Sequence, residues 1–397
     1  MGTQFLFVIE MLLMLILGQL NVFKLYRSSS ANLIVLYFFY ATIVSILGEI
    51  LKGSLILNDF FELARPLAFF MFYSLYRYAV INIEDIERQS IKLVVILFLI
   101  ESIYSILEFF FLDNVLPLSY LLYKKETMVI FRNKAIGSFT QIYAYGYILL
   151  LPFCYFLISF LYQKRLLSFV KLILVTFALL LTQSKSIYIS ATLCTLLCFC
   201  TPVLYLNWKN VLKNSSFVLI LLGLIILLFL SYQEDLYNIF PYALNGLESI
   251  AEGNGGTVNT RLEQILWAVY NNPFVLIGGG IGKSEIMLES LYGLYYYRYG
   301  LIGLAIFVSV VLFTVKSSYR IARIYQYTDV HLSIFYYALS VFYLVSIIAL
   351  SSSCHQDTPK ISILFYGFMG LIHARYNKIK WSYDDINMNK KSCCILK

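Results

Sequence analysis

Runs of about twenty apolar residues, separated by short polar connections, fill this chain almost from end to end, and that is the length an α-helix needs to cross the hydrocarbon of a bilayer. They lie near residues 4–23, 33–51, 61–81, 91–112, 142–161, 169–182, 187–206, 217–232, 296–315, 332–350 and 361–374. Hydrophobic residues make up 60% of the 397 and charged ones only 13%, at a mean hydropathy of +0.77, so polar surface is too scarce for a water-soluble domain. The pattern predicts an all-α polytopic integral membrane protein with about eleven transmembrane helices, ten to twelve once the shorter runs are allowed for.

Lysine and arginine set the orientation. With the C-terminal tail in the cytoplasm, the tail and alternate loops collect nineteen of the thirty basic residues, Arg77, Arg88, Arg320 and Arg375 among them. The formal charge of +8 is therefore topological and calls for no nucleic acid. Residues 1–3 carry no basic side chain and the first run holds Glu10, so that run reads as a retained helix rather than a cleaved signal. The predicted division is a bundle of about eight helices over 1–232, an extracytoplasmic loop over 233–295, three further helices over 296–375 and a cytoplasmic tail over 376–397. Four of the seven cysteines fall within the runs, which leaves no disulfide framework or metal site to assign.

Two outer loops are long. The first, 113–141, holds Lys124, Lys125, Arg132 and Lys134 on the side where positive charge is normally sparse, which suits an anionic ligand or simply lipid headgroups. The second is acidic, with Arg261 and Lys283 against Glu234, Asp235, Glu248, Glu252, Glu263, Glu285 and Glu289. Within it, Thr260 and Glu263 form a capping-box pattern ahead of Leu262, Ile265, Leu266 and Val269, and Pro273 follows; a short amphipathic helix is predicted to begin at Arg261. That would set a guanidinium beside a helix N-terminus, where an anion or an acidic neighbour is favoured. The following "IGGGIGKS" has Ile277 where a P-loop needs glycine, so its glycines are expected to turn a loop tightly against the membrane surface or a substrate.

Ionisable residues inside apolar runs are functional candidates. Glu10, Glu49, Arg65, Glu101, Glu108 and Lys185 qualify. Arg65 and Lys185 either share an outward-opening cavity with Arg261 or reach to headgroups or a neighbouring glutamate. Glu101 and Glu108, seven apart and so on one helical face, form either a polar seam between helices or a proton path.

These features together resemble the O-antigen polymerase and ligase superfamily of bacterial polysaccharide assembly, which includes Wzy-type polymerases. The likeness lies in many helices, one large outer loop ahead of three final spans, and a loop pattern of Arg261, Trp267, Pro273 and the glycines from 278 to 282. Ser290, a nine-residue spacer, Gly300 and Gly303 fit the ligase signature, but Glu289 stands where ligases have histidine. Lys185 in "TQSKS" replaces an arginine common in the superfamily, keeping the charge but losing the planar grip on phosphate.

The resemblance implies a GT-C-type glycosyltransferase fold in the bacterial inner membrane and a polymerase of undecaprenyl-diphosphate-linked repeat units, needing no metal or cofactor. Implied partners are those lipid-linked glycans, membrane lipids, a chain-length regulator and a flippase of the same pathway. The chemistry needs a cation for the departing diphosphate and a base for the attacking hydroxyl. Arg261 fits the first role, with Arg65, Lys185, Arg132 and Arg298 as further binding residues, and Glu289 the second. Glu289 is equally suited to a helix N-terminus or to pairing with Arg298. Tyr292 and its neighbours either stack on sugars or form an interfacial belt. A ligase of finished glycan and a non-enzymatic flippase are the competing readings. His355 and Asp357 also lie on the outer side, with no role to assign from sequence.

Overall fold

The computed structural model describes residues 29–52, 57–123, 134–139, 141–163, 165–217, 240–242, 245, 256–280 and 288–395, and among them the regular structure is helical with no strand. In chain order the helices are α1 (Ser29–Lys52), α2 (Leu57–Asn82), α3 (Ile86–Phe110), α4 (Leu112–Tyr123), α5 (Ile142–Gln163), α6 (Leu166–Leu181), α7 (Lys185–Phe199), α8 (Gly256–Asn271), α9 (Leu291–Tyr325), α10 (Val330–Ala349) and α11 (Pro359–Ile395). Of these, α3, α5, α9 and α10 are long and apolar enough to cross a membrane, and α7 with its bent continuation to Phe217 makes a fifth. The first expected span, 4–23, and nearly all of 217–232 lie outside the described residues.

Polar side chains enter these apolar helices by bonding to the preceding turn. Thr42, Ser45, Ser74, Ser102, Ser190 and Ser346 each donate to the carbonyl four residues back, which satisfies the hydroxyl proton within its own helix. Two expectations change. The run at 187–206 is not one straight helix: it bends by 53° ahead of Pro202, whose missing N–H breaks the ladder. And α8 begins at Gly256 rather than Arg261; nothing in the "GTVNT" that precedes Arg261 stops a helix, so Thr260 lies inside it rather than at its N-cap.

The chain forms two compact units. One comprises Arg88–Glu263 and Ala322–His355. At its centre stand α5 and α10, apolar on every face and correspondingly enclosed: 94% of the apolar stretch of α5 is buried, against 28% for α3 at the periphery. Asp329 caps α10 by accepting from the Leu332 N–H at 3.1 Å and pairs with Arg88 at 2.7 Å. Partial burial pushes the Asp329 carboxyl up, but the Arg88 guanidinium and that N–H outweigh it and hold the group below the usual carboxylate range.

The other unit comprises Met1–Glu87, Gln264–Ile321 and Gln356–Lys397. In it α2 packs along α11, and Glu87 is gripped at both oxygens by Arg375. Arg77, counted above among loop charges, is instead buried in this core. It donates to the Tyr73 hydroxyl at 3.2 Å, which meets His373 Nδ1 at 3.2 Å; His373 Nε2 meets Thr314 Oγ1 at 3.1 Å, and Thr314 donates to Val310 O at 2.8 Å. Because the single Thr314 proton goes to Val310, His373 must carry its proton on Nε2 and accept at Nδ1 from Tyr73.

The same unit contains a break in α9 at Gly300 (φ 64°, ψ −170°). The carbonyls of the turn before it are each taken up from outside the helix: Tyr296 by Asn272 Nδ2 (2.8 Å), Tyr297 by Gly279 N (2.8 Å), Arg298 by Gly280 N (3.0 Å) and Tyr299 by the Tyr40 hydroxyl (3.0 Å). Beyond the break, Leu301 and Ile302 donate to the Val275 and Leu276 carbonyls at 3.0 and 3.1 Å. The glycine-rich turn therefore closes on protein backbone. A Cβ on Gly280 would lie 2.6 Å from Gly48 Cα in α1, and one on Gly300 would strike the Leu276 carbonyl.

Gly300→Ala is expected to destabilise the protein by at least about 2 kcal/mol, since the backbone there is one that only glycine adopts freely. Gly293→Ala, whose Cβ would meet nothing nearer than 3.6 Å, should leave stability unchanged or slightly raised. Melting of the two variants in detergent checks the contrast.

Candidate functional site

In the first unit, α8 carries Arg261, half-buried in its second turn, and α10 leads into a short turn, His355–Asp357. His355 is fully buried, its ring over Tyr147 at 5.4 Å and Tyr143 at 6.3 Å, and the Tyr147 hydroxyl is tied to Ser346 at 2.6 Å. Burial, and then the nearby positive charge of Arg261, push the His355 pKa down from 6.5 to about 3. A neutral imidazole thus lies within electrostatic reach of the guanidinium.

Lys185 opens α7 at the same end of this unit. Two residues on, Ile187 packs against Gly146, the neighbour of Tyr147; a Cβ on Gly146 would lie 2.8 Å from it. The preceding Thr182, Gln183 and Ser184 are buried, and Gln183 takes a left-handed backbone (φ 49°) that aims its amide oxygen at the Tyr242 N–H, 3.1 Å away. Lys134 sits over the Tyr242 ring, 3.7 Å from its centroid, and partial burial lowers its pKa. The Ala135 N–H donates to Leu181 O at 2.9 Å, so the segment bearing Lys134 lies on the turn that leads to Lys185.

Glu101 and Glu108 hold that segment in place. Glu108 accepts from the Ile136 and Gly137 N–H groups at 3.0 and 2.7 Å; Glu101 accepts from the Ser138 N–H at 3.0 Å and from the Ser138 hydroxyl. Of the two readings from sequence, the polar seam is the nearer, except that it joins α3 to a buried loop rather than to another helix. Charge-assisted bonds of this kind are about twice as strong as neutral ones.

In the second unit, the Glu289 N–H donates to Gln264 Oε1 at 3.3 Å, and Ser290, Tyr295, Arg298 and Tyr299 are buried. The Tyr295 hydroxyl donates to Asp357 at 2.9 Å, and its ring packs edge-on to Tyr299. The tyrosine row therefore divides: Tyr295 and Tyr299 turn inward, while Tyr292, Tyr296 and Tyr297 are half-buried. Arg65, in α2, is half-buried in this unit as well. Arg132 and Glu10 lie outside the described residues, as does the Glu49 side chain. The helix-terminus role expected for Arg261 falls away, because α8 starts five residues earlier.

No protein-family model matches this sequence, and no curated protein matches it either.

Sequence reasoning assigned no role to His355 or Asp357, took the buried Arg77 for a loop charge, and gave Lys134 no role apart from its basic loop. A lone histidine between two spans has no spacing to judge it by, and hydropathy averages over a single arginine. Below pH 6.5 the unfolded chain protonates His355 while the folded one, down to about pH 3, does not, so acidification through this window removes stability. The loss is at most about 1.4 kcal/mol per pH unit. Melting temperature should fall from pH 7 to pH 5 less steeply in His355→Gln than in the parent.

Proposed function

We propose that this protein is a polymerase of lipid-diphosphate-linked oligosaccharide repeat units, working at the extracytoplasmic face of a bacterial inner membrane. About eleven spans in a GT-C-type arrangement, a cytoplasmic C-terminus and an outer 233–295 loop complete the reading. The observation that supports it is a set of cations in the first unit: Arg261 within electrostatic reach of a buried neutral imidazole, Lys185 two residues before the Ile187 that packs on the neighbour of Tyr147, and Lys134 on the loop bonded to the turn before Lys185.

A diphosphate leaving group is the chemistry such cations suit. A hydroxyl oxygen of one lipid-linked unit forms a bond to the anomeric carbon of the other glycan, the bond from that carbon to the diphosphate oxygen breaks, and the lipid diphosphate departs with its electron pair. Arg261 is assigned the diphosphate, with bidentate contacts that fit phosphate oxygens, and Lys185 adds point charge. Glu289 is assigned the hydroxyl proton. Arg65, Arg132, Arg298 and Tyr292 keep their assignment to substrate binding. A neutral His355 donates or accepts a hydrogen bond without adding positive charge beside Arg261.

A strain deleted for the gene should make surface polysaccharide of single repeat units, and wild-type protein should restore the length ladder. Arg261→Ala, expressed at normal level, should fail to restore it, since removing one preorganised contact costs about 10²-fold in rate. Glu289→Gln should restore it poorly. A ladder intact in the deletion strain would sink the polymerase reading.

A further inference from the structure

We infer that the exposed face of α8 and the segment 274–277 that follows it lie in the boundary between headgroups and acyl chains, on the side of the bilayer where α9 enters. Leu262, Leu266, Val269 and Tyr270 recur at helical spacing along α8, and residues 274–277 read Phe-Val-Leu-Ile; all eight are between 40% and 82% exposed. The opposite face of the helix is already engaged: Ala268 is fully buried and Ile265 packs on Gly293. Exposed apolar area of this extent on an otherwise packed helix marks a surface that something covers.

What covers it follows from where the surface continues. The Leu301 and Ile302 N–H groups donate to the Val275 and Leu276 carbonyls, so the segment runs alongside the first residues after the Gly300 break. Leu301 and Ile302 are themselves 47% and 41% exposed, at the start of a helix long and apolar enough to span a membrane. One apolar surface thus passes from the spanning part of α9 onto 274–277 and along α8. Acyl chains that solvate the first part meet the rest without a break, whereas a protein partner would have to replace lipid on the spanning helix too. The aromatic residues agree: Tyr270 is exposed beside the stripe, and Trp267 lies half-buried against Tyr297, as amphipathic rings do at a membrane interface. Glu263 is exposed at the polar margin. The helix is then an in-plane interfacial element, and Arg261, next to Leu262, comes to the depth of lipid phosphates. None of this depends on the glycosyl transfer proposed above.

The test uses full-length protein with Cys200, Cys354, Cys393 and Cys394 replaced by serine, and a single new cysteine carrying an environment-sensitive fluorophore. Leu266→Cys and Leu276→Cys report on the face and Glu263→Cys on its margin. Each is reconstituted into nanodiscs of phosphatidylethanolamine and phosphatidylglycerol, with or without bromine on the acyl chains. The expected result is blue-shifted emission at 266 and 276, quenched by about half on brominated lipid, with far weaker quenching at 263. Water-like emission at both positions would overturn the inference. So would blue-shifted emission insensitive to bromine, which would mean that protein, a second copy or another chain, covers the face. Because 266 and 276 lie on different elements, a folding defect in one variant, seen by size-exclusion profile, leaves the other to decide.

Discussion

In apolar surroundings every backbone N–H and C=O must find its partner within the protein, and at Gly300 the helix cannot supply them. The answer in this chain is a second piece of backbone. Residues 272–280 approach close enough to serve three carbonyls on one side of the break and two N–H groups on the other, and Tyr40 in α1 takes the fourth carbonyl. Helix, turn and α1 are thereby fixed to one another through glycines that admit no side chain. The exposed apolar segment, the entry of α9 and the buried pair Tyr295–Asp357 all take their positions from this junction.

Much of the fold was legible because membrane helices announce themselves by length and hydropathy. The runs near 33–51, 61–81, 91–112, 142–161 and 332–350 all became helices with ends displaced by a few residues. Local signals were weaker guides. The capping box at Thr260 and Glu263 is a pattern that permits a helix start without requiring one, and the helix simply runs back to Gly256. The glycines of 278–280 advertised a close approach, but a sequence does not say to what; the object turned out to be the backbone of α9 and α1.

The charged residues show the same division. Arg261 and Lys185 stood out because they are cations in the wrong setting, and they belong to the same unit. Glu101 and Glu108 stood out equally, yet their carboxylates serve the loop at 136–138, a use no spacing rule suggests, because the loop lies some thirty residues away in sequence. His355 stood out only as a histidine on the outer side, with no role attached. Its surroundings come from α5, α8 and the end of α10, elements that only the tertiary fold assembles.

The chain of bonds from Arg77 through Tyr73 and His373 to Thr314 has a direction. Arg77 begins it as a donor, and Tyr73, His373 and Thr314 each accept from the member before and donate to the next group in line. Removing any member strands the groups on either side, in a core where water is not at hand to replace them. Tyr73, His373 and Thr314 sit on three different helices, so the strain of a single change is shared by all of them. The four positions are therefore one heritable unit: drift at any one is penalised until the others change with it, and the line persists intact or is replaced as a whole by apolar side chains.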